Sequence, residues 1–399
     1  MKNYKKNSQL SVCILAPEMP PVVGGAETFS EVLALSLLRK SVKVYIVTSK
    51  NPRAYVREAV EKNGGQVFVT EDVFTTKDGF VAWEWAMFSR SQILHDIITN
   101  YHIDIIHALS HDTIISSSIA ICNLNEDEKI PLVITTSEMS TEDSEFGMAR
   151  SKFTYQLPID GLLQLSQYYV DVVMKYGCKP KVKKIASCVD VELFSTGNRM
   201  KGREKLNISE HKFLITCPSR FSRRKGQNEL LEAIELLPEN FQEKIVCLLA
   251  GSTNSASNGY YTSLISKAEK IKFDCLIQSV MREDMPDIFS ATDLVVMPSY
   301  KEGLGFAAIE SMVAGCPVLL YNTTGFDEIP DEEGQVEFCE VGNIKMLAEK
   351  IQFLMKNVIA RKQLAQNGQK LAKEKFSTEE FTKKVISFYD EVLLCSSKK

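Results

Sequence analysis

The sequence predicts an α/β protein made of two Rossmann-like, doubly wound halves. Short continuous apolar runs of strand length alternate with longer stretches of helical period, and the same alternation restarts after residue 210. A continuous apolar run suits a strand buried on both faces, and the helical stretches between such runs supply the crossovers that parallel strands require. The length of 399 residues is ample for two separate cores, because domains usually close at about 100–200 residues.

In the first half LSVCILAP, VKVYIVTS, IDIIHAL and LVITTS read as strands, with ETFSEVLALSLLRK and TIISSSIAICNLN as amphipathic helices among them. In the second half FLITCPS, KIVCLLAG, CLIQS, LVVMPS and PVLLYN alternate with the helical NELLEAIELL, TSLISKAEKI, DMPDIFSATD and FAAIESMVAG. Between the halves lies KYGCKPKVKKIASCVDVELFSTGNRMKGREKLNISEH, rich in Lys and polar residues and poor in long periodic segments, which places the boundary near residue 190. The expected division is therefore 1–189 for the first half and 190–375 for the second. A C-terminal helix, 376–399, is expected to return to the first half. Its start reads as a capping box, with Ser377 as N-cap and Glu380 as its partner.

Composition excludes several classes. With 44% hydrophobic and 25% charged residues the chain is neither disordered nor collagen-like nor a coiled coil. Lys and Arg number 47 against 51 Asp and Glu, so no bulk positive field exists to hold nucleic acid, which is not an expected partner. The N-terminal MKNYKKNSQLSVCILAPEMPP has an apolar stretch that ends in Pro-Glu-Met-Pro-Pro rather than at a small-residue cleavage site, so it reads as a buried strand. The ten cysteines form no C-x-x-C pair, and most sit inside apolar runs as small hydrophobes. This fits a reducing cytoplasm and gives no Cys-based metal site. Lys2, Lys5, Lys6, Lys179, Lys181, Lys183 and Lys184 read first as solvated surface; the second reading is peripheral contact with an anionic membrane at its inner face.

The strongest motif is PSYKEGLGFAAIESMVAGCPVLLYN, which follows the strand DLVVMPS. Glu302 falls in the strand-to-helix loop and Glu310 about a turn into the helix, on either side of a Gly-x-Gly. Gly303 and Gly305 let the backbone approach a ligand, and the helix start offers free N–H groups to phosphate. A ligand that carries both a diphosphate and hydroxyls suits this arrangement. At the carboxyl end of FLITCPS, the segment SRFSRRKG adds Arg220 and Lys225. Gly24 and Gly25 precede another amphipathic helix, whose N-terminus is again an anion site. His107 reads as a packed strand-end histidine. His111 falls in the following loop, with Asp112 as a plausible helix N-cap.

These segments together resemble the retaining nucleotide-sugar glycosyltransferases of family 4. DLVVMPSYKEGLGFAAIESMVAGCPVLLYN is similar to the family's core motif, PPVVGGAETFSEVLALSLL to its N-terminal Gly-Gly loop, CPSRFSRRKGQNELLEAI to its phosphate segment, and VDVELF to the opening of its second domain. The resemblance implies the GT-B fold, two Rossmann-like domains facing across a cleft with 1–189 on the acceptor side and 190–375 on the donor side, and a sugar moved from a nucleoside diphosphate sugar to an acceptor hydroxyl with retention. By position it implies that Glu302 lies beside the donor sugar and that Glu310 binds the ribose. Arg220 and Lys225 would neutralise the diphosphate, and Gly24 and Gly25 would face it with backbone amides. Gly303, Gly305 and Phe306 belong to the same donor-binding motif.

The chain departs from the family at two places. Leu109 stands where the family often has the second histidine of His-x-His, with His111 two residues further on. Ser187 and Cys188 replace the usual Asn-Gly before Val189-Asp190. The expected partners are a nucleoside diphosphate sugar and an acceptor glycan, lipid-linked or small-molecule, with no cofactor, because fixed cations and helix termini can do the electrostatic work of a metal. Synthesis of cell-surface polysaccharide, glycolipid or another glycoconjugate is the setting implied. A dinucleotide oxidoreductase fails because the first strand leads into Pro-Pro-Val-Val-Gly-Gly rather than G-x-G-x-x-G. A catalytically inactive sugar-nucleotide-binding or scaffold protein of the same fold is the alternative. The acidic stretch SEMSTEDSEFGMARSK reads as a solvated loop, with the border of the acceptor site as the other reading.

Overall fold

The computed structural model describes residues 9–21, 24–70, 81–125, 128–136, 145–177, 179–252 and 258–396. Lys2, Lys5 and Lys6 and the first eight residues of the acidic stretch, 137–144, lie outside the described residues. Contacts divide the chain into two units, Met1–Ser187 with Thr378–Lys399, and Cys188–Ser377. No helix among the described residues is long and apolar enough to cross a membrane.

The first unit holds a seven-stranded sheet of β1 (Ser11–Leu15), β2 (Lys43–Thr48), β3 (Gln66–Val69), β4 (Ile105–Ala108), β5 (Leu132–Ile134), β6 (Gly161–Gln164) and β7 (Lys181–Lys184). The order is β3-β2-β1-β4-β5-β6-β7 and every pairing is parallel. The central strands are buried along their whole length, as their unbroken apolar runs require. The order reverses between β1 and β4, which pair from Val12 with Ile105 to Leu15 with Ala108.

The second unit holds six parallel strands, β8 (Phe213–Pro218), β9 (Ile245–Ala250), β10 (Asp274–Gln278), β11 (Leu294–Met297), β12 (Val318–Tyr321) and β13 (Glu337–Cys339), in the order β10-β9-β8-β11-β12-β13. Its reversal falls between β8 and β11. One core cluster joins Ile215 and Cys217 of β8, Cys247 and Leu249 of β9 and Val296 of β11 to Leu230 and Ile234 of the helix Gln227–Glu235. The buried thiols pack as small apolar groups, and burial pushes the Cys217 thiol up to about 12.

Two expectations change. KVKK, read as part of the linker, is β7, the edge strand of the first sheet. An edge strand needs no apolar run, and its lysines are a device that deters pairing with another chain. The helix after β4 is capped by Ser110, not Asp112: Thr113 N–H donates to the Ser110 hydroxyl (3.3 Å) and Ser110 N–H donates to Thr113 Oγ1 (3.0 Å). Asp112 instead pairs with Arg90 at 2.6 Å.

The C-terminal helix Thr378–Ser396 completes the first unit. Phe381 meets Phe29 edge-on at 6.2 Å, and Glu391 pairs with Lys181 (2.8 Å) and Lys183 (3.1 Å) of β7. The Tyr389 hydroxyl lies 2.6 Å from Nδ1 of His107, whose Nε2 lies 2.8 Å from the Thr135 hydroxyl. His107 is thus a buried, fully bonded side chain, and burial holds it down at about 3 from the usual 6.5. Below pH 6.5 the unfolded chain binds a proton at His107 that the folded chain refuses, so the stability present above that pH is lost as the pH falls towards 3. The expected slope is about 1.4 kcal/mol per pH unit for this one group. Thermal or urea unfolding at several pH values between about 7 and 5 should show His107→Gln less stable at neutral pH but flatter in acid by about one proton; equal slopes would refute the assignment.

Candidate functional site

The sequence-predicted residues fall at the carboxyl ends of the four strands that flank the two reversals, where open parallel sheets bind ligands. In the second unit the segment after β8 carries Arg220 and, in a short 3-10 turn Arg223–Lys225, Lys225. The loop after β11 carries Glu302, Gly303 and Gly305 and opens the helix Phe306–Val313, on which Glu310 sits.

The two loops are tied together by backbone and side chains. Tyr300 N–H donates to the carbonyl of Arg224 at 2.9 Å. Gly226 has φ +69°, and a Cβ there would lie 2.0 Å from the carbonyl oxygen of Pro298, so only glycine lets the β8 loop close on the β11 loop. Gln227 is buried and donates from Nε2 to the Ser219 hydroxyl and to the Arg220 carbonyl, each at 2.9 Å, which fixes the path of the basic segment.

This closure brings Lys225 Nζ into an ion pair with Glu302 Oε1, with side chains only 12% and 9% exposed. The Arg220 side chain is exposed and, among the described residues, enters no ion pair. Gly305, at φ +83°, is the residue before the helix, and a Cβ there would strike the Phe326 ring at 2.4 Å. The first helical N–H groups follow directly, so the β11 strand-loop-helix element holds a carboxylate and a helix N-terminus, to which the β8 loop adds the cation.

Glu310 is buried, and its Oε1 lies 2.9 Å from Nη1 of Arg282. Burial pushes the Glu310 carboxyl up, Arg282 opposes this, and Asp190 adds to it. Arg282 was not legible as a site residue: it lies in the polar loop between β10 and the helix Met285–Ala291, and no motif marks it.

In the first unit Gly24 precedes the helix Gly25–Arg39. The Glu27 side chain folds back over this start, with Oε2 at 2.0 Å from where a Gly24 Cβ would stand, and this buried oxygen has no hydrogen-bond partner among the described residues. His111 is the first residue of the helix His111–Cys122 rather than part of a loop. It is fully buried with its ring 5.4 Å from that of Tyr155, and neither ring nitrogen has a partner among the described residues. Burial and Arg150 hold it down at about 4, against Asp112, so it is neutral at pH 7.

Comparison with known proteins agrees with this architecture. The Anabaena HepE structure in complex with UDP and glucose superposes with TM-score 0.79 at 18% identity, covering 96% of this chain and 100% of that one. The chain therefore has the GT-B glycosyltransferase fold. Residues 198–371, inside the second unit, match the family model for glycosyl transferases group 1. Among curated relatives, the capsular polysaccharide biosynthesis glycosyltransferase CapM of Staphylococcus aureus is 26% identical over 209 residues, 51% of this chain and 53% of CapM. The D-inositol 3-phosphate glycosyltransferase of Rhodococcus jostii is 26% identical over 159 residues, 39% of this chain and 35% of the relative. The chain thus spans a third to a half of the length of these relatives.

The Lys225 and Glu302 pair makes a stability prediction separate from function. Lys225→Met leaves a nearly buried carboxylate uncompensated and should destabilise the second unit by about 3 kcal/mol. Adding Glu302→Gln in the same chain should recover most of that loss. Urea unfolding of the two single variants and the double variant checks it; additive losses would show that the two side chains are not coupled.

Proposed function

We propose that the protein transfers a sugar from a nucleoside diphosphate sugar to an acceptor hydroxyl, with retention at the anomeric carbon and without a metal. The product would be a cell-surface polysaccharide, a glycolipid or another glycoconjugate. The observation that carries this reading is the convergence of Lys225 and Glu302 from two strands at one helix start, with Glu310 one turn further on. The complexes of HepE with UDP and with UDP-glucose, and the polysaccharide role in the name of CapM, support the donor and product classes.

In this reading Arg220, Lys225 and the N–H groups that open the helix at Phe306 receive the diphosphate. Negative charge grows on that group as the glycosidic bond breaks, and cations held in place beforehand stabilise it without reorganising at that moment. Lys225 would then exchange its pairing with Glu302 for the phosphate, which frees the carboxylate to face the transferred sugar. Glu310 accepts hydrogen bonds from the ribose. His111, neutral and without a partner among the described residues, would have to turn its buried ring outward to meet a sugar hydroxyl in the first unit, while Gly24 and Gly25 offer backbone amides. The acceptor is a glycan hydroxyl, lipid-linked or in a small molecule.

The kinetic test separates the two glutamates. Glu310→Gln should raise KM for the donor and weaken binding of the free nucleoside diphosphate, by about 1–3 kcal/mol, with little change in kcat. Glu302→Gln should lower kcat more than it weakens binding of the free diphosphate, which has no sugar to contact. Lys225→Ala or Arg220→Ala should each cost about 2–4 kcal/mol of transition-state stabilisation, and activity should survive EDTA. Unchanged kinetics in all four variants would mean that the residue roles are misassigned, nucleoside diphosphate binding with no transfer by the natural chain would favour an inactive nucleotide-binding protein, and full loss on chelation would refute the metal-free route.

A further inference from the structure

We propose that Arg282 is the positioning residue for Glu310, holding its carboxylate in place so that it can accept the ribose hydroxyls of a nucleoside diphosphate. This rests on the ribose role of Glu310 given above and adds a residue that neither the motif nor the relatives assign.

Three observations lead there. The guanidinium of Arg282 lies 2.9 Å from Glu310 Oε1, and the carboxylate side chain is only 8% exposed. Oε1 is itself buried and faces that guanidinium, so the carboxylate is anchored through this one oxygen. A carboxylate anchored through one oxygen holds its other oxygen in a fixed direction, which is what an incoming hydroxyl requires. The guanidinium itself is braced, because it stacks over the Phe194 ring at 5.3 Å, on the short helix Val191–Phe194. A planar, always-charged group clamped against an aromatic face loses little freedom when it fixes a carboxylate.

Charge gives the same answer. Two charged groups act on Glu310: Arg282 from the loop after β10, and Asp190, which caps the helix Val191–Phe194 through the Leu193 N–H at 2.9 Å. Burial and Asp190 both favour the protonated carboxyl, and Arg282 alone opposes them. Without Arg282 a falling pH would therefore protonate Glu310 sooner and replace a charged acceptor with a weaker neutral one.

The test uses the full chain and calorimetric titration with UDP, GDP and ADP, taking forward the tightest, beside its 2′,3′-dideoxy analogue. Arg282→Met keeps the stem and removes the charge. Its affinity for the nucleoside diphosphate should fall by about tenfold at pH 7.5 and further at pH 5.5, where the natural chain changes less. Arg282→Lys should recover part of the loss, and the dideoxy analogue should bind the natural chain and Arg282→Met alike. Equal loss for the dideoxy analogue would mean a phosphate, base or purely structural role, and tighter binding by Arg282→Met would mean that Arg282 competes with the ribose; either overturns the inference. Glu310→Gln separates the layers. If it weakens binding while Arg282→Met does not, the inference alone fails, and if Glu310→Gln leaves binding unchanged, the ribose role fails and the inference with it.

Discussion

The pairing of β8 with β11 is the constraint on which the second unit's candidate site depends. These strands are neighbours in the sheet, Leu294 against Ile215 and Val295 against Thr216, although seven elements of helix and strand separate them in the chain. Because all strands run parallel, the chain leaves both at the same end, and because the order reverses here the following helices diverge to opposite faces. The space they vacate is where the loops carrying Lys225 and Glu302 meet. Neither loop could be placed by local preference alone. The burial of two continuous apolar strands against each other puts their polar continuations side by side, and Gly226 removes the last atom that would hold them apart.

That geometry brings an electrostatic cost that the chain meets in the same way twice. A carboxylate taken out of water is expensive unless a cation accompanies it. Glu302 has Lys225, and Glu310 has Arg282. The two solutions differ in what they allow. A lysine is a compact point charge on a flexible stem, able to leave one anion for another, whereas the guanidinium over Phe194 is braced. An exchangeable pair suits a place where phosphate arrives and departs, and a fixed pair suits a carboxylate that must present one oxygen in one direction.

Much of this was legible in the sequence for the same physical reasons. Nine of the apolar runs became strands because a buried parallel strand must be apolar on both faces, and Glu302 and Glu310 fell in the loop and helix that their spacing implied. What was missed is what carries no such pressure. β3, β6 and β13 are short, and β7 is four residues of which three are lysines, so their pairing is dictated by the neighbouring strand rather than by their own composition. Arg282 was invisible because its partner lies 28 positions away, and only the folded chain makes an arginine in a polar loop different from any other. The cap at Ser110 was missed for a subtler reason: Ser-x-x-Thr and a neighbouring Asp both satisfy the sequence rule, and Arg90, distant in sequence, decides between them by taking Asp112.

The two buried histidines of the first unit show how the same burial can mean opposite things. They lie four residues apart around the end of β4, and each is held well below the ordinary histidine range, so both are neutral near pH 7. His107 spends both ring nitrogens on hydroxyls, one from the C-terminal helix, and so ties that helix to the sheet. His111 spends neither on the described residues. A buried imidazole left unpaired forgoes hydrogen bonds worth about 1 kcal/mol each. It stands at a helix start beside the switch between β1 and β4, and a neutral ring can both donate and accept a hydrogen bond.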